Sequence, residues 1–383
     1  MTTSDLFETP ERRDLRAAVR RFTEREVVPH LDEWERAGGL PRELHRRAAA
    51  AGLLGVGFPE SAGGAGDLLD TVVVTEELIQ AGGSSGLVAG LMTHGIAIPH
   101  IIGSGNADLV ERFARPAIEG ELIGSLAITE PGGGSDVAAL RTTARRDGDH
   151  YVVNGAKSFI TSGSRADFVT TAVRTGGPGY RGISLLVVER GTPGFTVDRT
   201  LEKMGWHCSD TAELSFVDAR VPAANLVGDE DAGFGLIMRQ FQVERISLAV
   251  QAYATAQRAL DLTVAHARRR ETFGKPLIAR QVVSHRLVGM AQRVDLARAY
   301  TREVAARAAR GEEVVAQVCF AKNAAVEACA HVVDQAVQLH GGAGYLRGTE
   351  VERHYRDARI LGIGGGATEV MTELAARRLG YTA

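Results

Sequence analysis

Four short runs and one acidic–basic pair hold the residue types that could do chemistry in this chain. The first run is Leu126-Ala-Ile-Thr-Glu-Pro-Gly-Gly-Gly-Ser-Asp136, where a β-rich stretch enters Pro131 and three glycines. Glycine lets the backbone turn sharply and present successive N–H groups with no Cβ in the way. With the hydroxyls of Thr129 and Ser135 beside it, such a nest suits a phosphate or the polar edge of a flat ring. Taken alone, it is equally an ordinary connector. The second run is Asn154-Gly-Ala-Lys-Ser-Phe-Ile-Thr-Ser-Gly163. There Phe159 could stack on a ring while Thr161, two residues on, hydrogen-bonds its edge; by itself Phe159 reads as core.

The third run, Arg268-Arg-Arg-Glu-Thr-Phe-Gly-Lys-Pro-Leu277 with Gln281, sets four cations around an aromatic. That pattern fits a pyrophosphate, and fits equally a solvated helix end with cations at its negative pole. The fourth, Gln338-Leu-His-Gly-Gly-Ala-Gly-Tyr345, closes a long helical pattern with glycines, an ordinary C-terminal cap when read alone. Gly362-Ile-Gly-Gly-Gly-Ala367 mimics a dinucleotide fingerprint. Only 16 residues follow Ala367, too few for the helix, second strand and acidic residue that fingerprint needs, so nicotinamide binding is excluded. No H-E-x-x-H or paired C-x-x-C spacing exists for a metal.

The elements that must position these runs change along the chain. Helical spacing dominates residues 1–123, where Leu15, Val19 and Phe22 recur at three- and four-residue steps and Pro41 and Gly52 bracket a helix. Asp67 to Gln80 and the apolar Ser84 to Ile101 read as further helices. Residues 124–233 carry short β-rich runs punctuated by Asp147-Gly148 and Asn154-Gly155, both read as hairpin turns, which predicts a small sandwich or barrel. Residues 234–383 return to helix: Leu236 to Arg269, Gln281 to Arg310, Glu312 to Leu339 and a shorter Thr368 to Leu379, the makings of a four-helix bundle.

Across the 383 residues, 44 basic against 47 acidic side chains leave a net charge of −3, which removes the electrostatic case for nucleic acid. Three cysteines fit no disulfide framework. His94, Pro99 and His100 interrupt the most apolar stretch, so no membrane insertion is expected. The start lacks a basic-then-apolar signal, and a cytoplasmic location is expected.

In order and spacing, these runs resemble the acyl-CoA dehydrogenase family of flavoenzymes over essentially the whole chain. The resemblance rests on Ala127 to Asp136, Lys203-Met-Gly205 with Ser209-Asp-Thr211, and Val221-Pro222 with Asn225 to Gly228. It continues through Arg270 to Pro276, Gln338 to Gly344, Tyr355-Arg-Asp-Ala-Arg359 and Gly364 to Glu369. It implies an α+β multidomain fold: an N-terminal helical domain, a middle β-barrel or sandwich, and a C-terminal four-helix bundle. It also implies FAD held without a Rossmann fold. Leu126, Ile128, Thr129, Gly134 and Ser135 would meet the cofactor, with Phe159, Ile160 and Thr161 beside its ring; Phe159 stands where the family often has Trp. Arg270, Thr272, Phe273 and Gln281, with Gln338, Gly341, Gly342 and Glu369, complete the implied cofactor set. Several of these reach the FAD of a neighbouring subunit in the family, which implies a homotetramer built as a dimer of dimers.

The resemblance further implies α,β-dehydrogenation of an acyl thioester, with electron-transfer flavoprotein as acceptor. Many members carry the proton-abstracting Glu in a Tyr-Glu-Gly-Thr run near the C-terminus; here the corresponding residues are Gly364, Gly365, Gly366 and Ala367. The isovaleryl and long-chain branches instead carry the base on the first bundle helix, just before an Arg. Phe241-Gln-Val-Glu-Arg245 places Glu244 there. The Gly365 N–H would still polarise the thioester oxygen, and Ser135, Gln242, Arg245, Gly365 and Gly366 form the implied substrate set. Losing a side chain at 365 is expected to leave room for a branched or bulky acyl group. Ala367 replaces a Thr that usually contacts FAD, and Thr368 could substitute only with a backbone shift. Alternative readings are a flavin oxidase or monooxygenase, an acyl-carrier-protein-linked dehydrogenase, and a non-catalytic relative.

Overall fold

The computed structural model describes residues 3–382. Its first part is helical: α1 (Pro10–Phe22), α2 (Leu31–Ala37), α3 (Arg42–Ala50), α4 (Leu68–Gln80) and α5 (Ser85–Leu91). Local chemistry sets their ends. Thr9 caps α1 by accepting the Arg12 N–H, with Pro10 at the first helical position. Asp67 and Asp70 form a capping box at the start of α4. The apolar stretch expected as one helix to Ile101 is three: α5, α6 (His94–Ala97) and α7 (Pro99–Gly103). Pro99 cannot donate to the preceding turn, so the chain breaks there. Among the described residues no single helix is long and apolar enough to cross a membrane. α5 and the α6–α7 segment, bent by 62° from each other, pass that test only as a pair.

The middle part is a curled seven-stranded sheet: β1 (Gly124–Ala127), β2 (Thr143–Asp147), β3 (His150–Thr161), β4 (Phe168–Arg174), β5 (Ile183–Glu189), β6 (Phe195–Thr200) and β7 (Thr211–Pro222). Strand order is β1-β4-β2-β3-β7-β6, with β5 also on β4. Most pairs are antiparallel, as a barrel predicts, but β1 runs parallel to β4, Gly124 opposite Phe168. Asp147-Gly148 makes the expected β2–β3 hairpin. Asn154-Gly155 does not turn: it sits inside the twelve-residue β3, at a bulge against β7. Gly155 is there because a Cβ would stand 2.5 Å from Thr142 Oγ1.

The last part holds α8 (Gly233–Arg269), α9 (Gln281–Ala309), α10 (Val315–His340), α11 (Glu350–Ala358) and α12 (Thr368–Arg378). A two-stranded hairpin, β8 (Glu271–Thr272) and β9 (Lys275–Pro276), separates α8 from α9. Helix α8 packs on α10 and α9, and also on α4, so the two helical parts share one apolar core. A second core joins α6 and α7 to β4, β5 and the start of α8. Polar clamps close the seams: the Trp206 N–H donates to Asp357 at 2.6 Å, and Arg165 reaches the carbonyls of Leu40 and Gly90.

Candidate active site

Glu130 shapes the Gly-rich loop after β1. Its carboxylate accepts the N–H groups of Arg141 and Thr142 at 2.7 and 2.8 Å and the Lys157 ammonium at 2.9 Å. Burial alone would raise its pKa; Lys157 and Thr142 outweigh that and bring it to about 2. The loop is therefore pinned at its base and leaves Gly132, Gly133, Gly134 and Ser135 exposed at its tip. The Ser158 N–H donates to Thr129 O at 2.9 Å and so sets Thr129 against β3. Phe159, at φ +61°, turns its ring out of the sheet and is 67% exposed. Thr129, Phe159 and Thr161 thus come to one edge of the sheet, where Leu126 is half-buried. The side chains of Ile128 and Ile160 are packed in the cores, which leaves their backbone atoms for any ligand.

A second group gathers at the far end of the bundle. The β8–β9 hairpin carries Arg270, Thr272 and Phe273; Phe273 is 97% exposed at φ +50°. Gln281 opens α9, and Gln338, Gly341 and Gly342 end α10. His266 and His340 stack at 4.2 Å and tie these ends of α8 and α10 together. Glu369 stands exposed in the first turn of α12.

The third group surrounds Glu244. Gly365 adopts φ +61°, and a Cβ there would stand 2.3 Å from Leu248 Cδ1 and 3.2 Å from the Glu244 Oε1. The helix carboxyl and the glycine loop therefore face each other directly. Burial pushes the Glu244 pKa above the carboxylate value of 4.5, against the pull of Arg245 and Lys322. Arg245 is buried, points its guanidinium over the Phe241 ring at 5.3 Å and donates from Nε to Gly365 O at 3.2 Å. Gln242 is half-buried one turn before Ile246. Gly366, at φ +101°, has Met371 Cε 2.4 Å from a Cβ position.

Two expectations need correction here. The absent side chain at 365 does not open free volume, because Leu248 and the Glu244 carboxyl take it. Thr368 is not free to replace the missing Thr contact: it opens α12 and turns its hydroxyl back toward Gly362 O. A Gly365→Ala substitution is expected to destabilise the protein by about 1–2 kcal/mol through its left-handed backbone. It should also slow turnover by displacing Leu248 and Glu244; urea melts and steady-state rates check both.

Lys322 escaped the sequence reading. It is 1% exposed, and its ammonium donates to Gly364 O at 2.7 Å and to Gly366 O. The signal was present: 322 falls on the apolar stripe of α10 with Val318, Cys319, Ala325 and Cys329. The sequence also holds one G-x-S-x-G run, Gly82 to Gly86. Its Ser84 is fully buried and caps α5 by accepting the Leu87 N–H, so it is no exposed nucleophile.

This three-part architecture has clear relatives. Models of the N-terminal, middle and C-terminal domains of acyl-CoA dehydrogenase match residues 9–121, 125–219 and 231–380. The chain belongs to the acyl-CoA dehydrogenase family. A probable acyl-CoA dehydrogenase of Mycobacterium abscessus superimposes with a TM-score of 0.97 at 62% identity, over 98% of this chain and all of that one. The mitochondrial long-chain specific acyl-CoA dehydrogenase of Rattus norvegicus is 38% identical over 95% of this chain and 85% of its own length. A glutaryl-CoA dehydrogenase of Mycobacterium smegmatis, in complex with FADH2, matches with a TM-score of 0.92 at 26% identity, covering 99% and 97%. The protein is an oxidoreductase of this family acting on acyl-CoA.

Proposed function

We propose that the protein removes the α proton of an acyl-CoA with Glu244 and so begins α,β-dehydrogenation to the trans-2-enoyl thioester. The observation that carries this reading is the placement of Oε1 of Glu244 3.2 Å from where a side chain at 365 would begin. A carboxyl delivered from α8 therefore reaches the same point as one delivered from the 364–367 loop. Its desolvation makes it a stronger base than a solvated carboxylate, which speaks against a non-catalytic relative. The Gly365 N–H supplies a donor to the thioester oxygen, where negative charge develops as the proton leaves.

FAD fits the first group of residues. An exposed Phe159 ring lies beside Thr129 and Thr161, and Cβ positions at Gly132 and Gly133 meet nothing within 4 Å, so backbone N–H groups are open to a phosphate. When bound, FAD supplies the hydride acceptor, N5 of its ring. Leu126, Gly134 and Ser135 line the same loop, and Ser135 with Gln242 and Gly366 completes the substrate side. The bundle-end group, Arg270, Thr272, Phe273, Gln281, Gln338, Gly341 and Gly342, serves the FAD of a neighbouring subunit, while Glu369, at the start of α12 beside the glycine loop, completes the cofactor set. The fully exposed Phe273, with Tyr345 and Leu346 also exposed a few residues beyond the end of α10, supports a partner there and hence a homotetramer. The units 1–123, 124–233 and 234–383 act as its domains. Electron-transfer flavoprotein reoxidises the enzyme. Three buried, unpaired cysteines support a cytoplasmic location.

The test is anaerobic bleaching of the FAD-loaded protein by short, long and branched acyl-CoAs. Bleaching by at least one supports the reading; bleaching only by acyl-carrier thioesters, or rapid reoxidation by O₂, overturns it. Because the unprotonated carboxylate is the base, kcat/KM should rise with pH through an inflection above 4.5. An inflection at or below that value would remove Glu244 from the step.

A further inference from the structure

We propose that Lys322 is the positioning residue that aims the Gly365 N–H at the thioester oxygen, an assignment that rests on the acyl-CoA reading above. The geometry is that of one peptide plane. Gly364 C=O and Gly365 N–H belong to the same rigid amide and point in opposite directions. Lys322 holds that carbonyl at 2.7 Å, and in doing so fixes where the N–H points. The same ammonium also takes Gly366 O, and Arg245 Nε takes Gly365 O between them. Three successive carbonyls are thereby drawn to buried cations on α10 and α8. Among the described residues no protein acceptor takes the Gly365 N–H, so it is free for substrate.

Three glycines in a row would otherwise sample many orientations, since Gly365 and Gly366 already sit at positive φ with no side chain to lock them. Next along α10, Asn323 donates to Thr368 O at 3.1 Å and anchors the far side of the loop. A hydrogen bond from a charged donor also polarises the amide, which makes its N–H a better donor to developing negative charge. Burial and Arg245 lower the Lys322 pKa to about 8, while Glu244 and Cys319 oppose them, so the group stays a cation at neutral pH.

The test uses FAD-loaded protein and acetoacetyl-CoA, whose enolate gives a long-wavelength charge-transfer band against oxidised flavin without turnover. Lys322→Met should keep its FAD and weaken that band about tenfold at fixed pH, a smaller loss than deleting an oxyanion donor outright. With a reactive acyl-CoA, kcat should fall about tenfold while KM changes less than twofold, the pattern of a contact made in the transition state. Lys322→Arg, which keeps the cation and both donors, should restore the band to within about twofold. Should the Met variant fold poorly, Lys322→Gln is read in the same way. A wild-type band in either folded variant overturns the proposal. If wild-type protein gives no band, and Glu244→Gln none either, the acyl-CoA reading itself falls and the role of Lys322 falls with it.

Discussion

Glu244→Gln is expected to lower kcat/KM by about 10²–10⁴-fold while the protein stays folded and yellow. The two side chains have nearly the same shape, so Leu248, Arg245 and the Gly365 backbone keep their places around position 244. What is lost is an oxygen able to accept a proton at neutral pH. No other carboxylate replaces it at this point, because the loop position opposite is Gly365 and the next acid in the chain, Glu369, is exposed on α12. Stopped-flow bleaching by a saturating acyl-CoA checks the prediction. A variant that bleaches at the wild-type rate would take Glu244 out of the chemistry, whatever its pKa.

The largest expected effect on stability lies away from the site, where α4 meets α8 and α9. Glu76 is 3% exposed and receives a bidentate pair from Arg302, at 2.8 and 2.7 Å, with Arg16 at 3.1 Å and the Tyr253 hydroxyl also donating to it. Arg302→Met strips the main cation from a carboxylate that water cannot reach. Breaking a buried pair from one side costs about 3–5 kcal/mol, and the contacts kept by Arg16 and Tyr253 put this case near the lower figure. Thermal unfolding at neutral pH reads the loss directly. The pH dependence adds a second signature. Burial alone would raise the Glu76 pKa, but Arg302 outweighs it and holds the value below 4.5. Stabilisation from this group is therefore complete above 4.5 and disappears as pH falls through the lower, folded value. In Arg302→Met that depression is relieved, and acid unfolding should begin at higher pH.

Much of this was legible before any coordinates, and the exceptions have physical causes. The long helices were readable because α8, α9 and α10 carry unbroken helical spacing with few Gly or Pro residues. The ends of α3 were readable because Pro41 and Gly52 act within a few residues of where they stand. β3 runs straight through Asn154-Gly155 over twelve residues, although that pair carries a strong turn signature. The pairing of Thr143 with Asn154 and of Gly155 with Phe216 overrides it, and contacts that far apart leave no local trace. β6, Phe195–Thr200, leaves no such signal: it is a largely exposed edge strand with polar residues on it. At the site, Glu244 was legible as an acid beside an Arg on an apolar helix, whereas for Lys322 the apolar stripe of α10 marks the position as buried but not what its ammonium binds. Only the fold reveals that the carbonyls of Gly364 and Gly366 close over it. Leu248 was invisible for the same reason, and with it the filled volume beside Gly365.

The crowding between α8 and the glycine loop also bears on how such enzymes diverge. An acid arising at 365 while 244 keeps its own would force two like charges into one confined space, where they would have to share a single proton. Losing the helix acid first leaves none. Under the proposed function, moving the proton acceptor from one wall to the other therefore passes through a site that holds two acids or none.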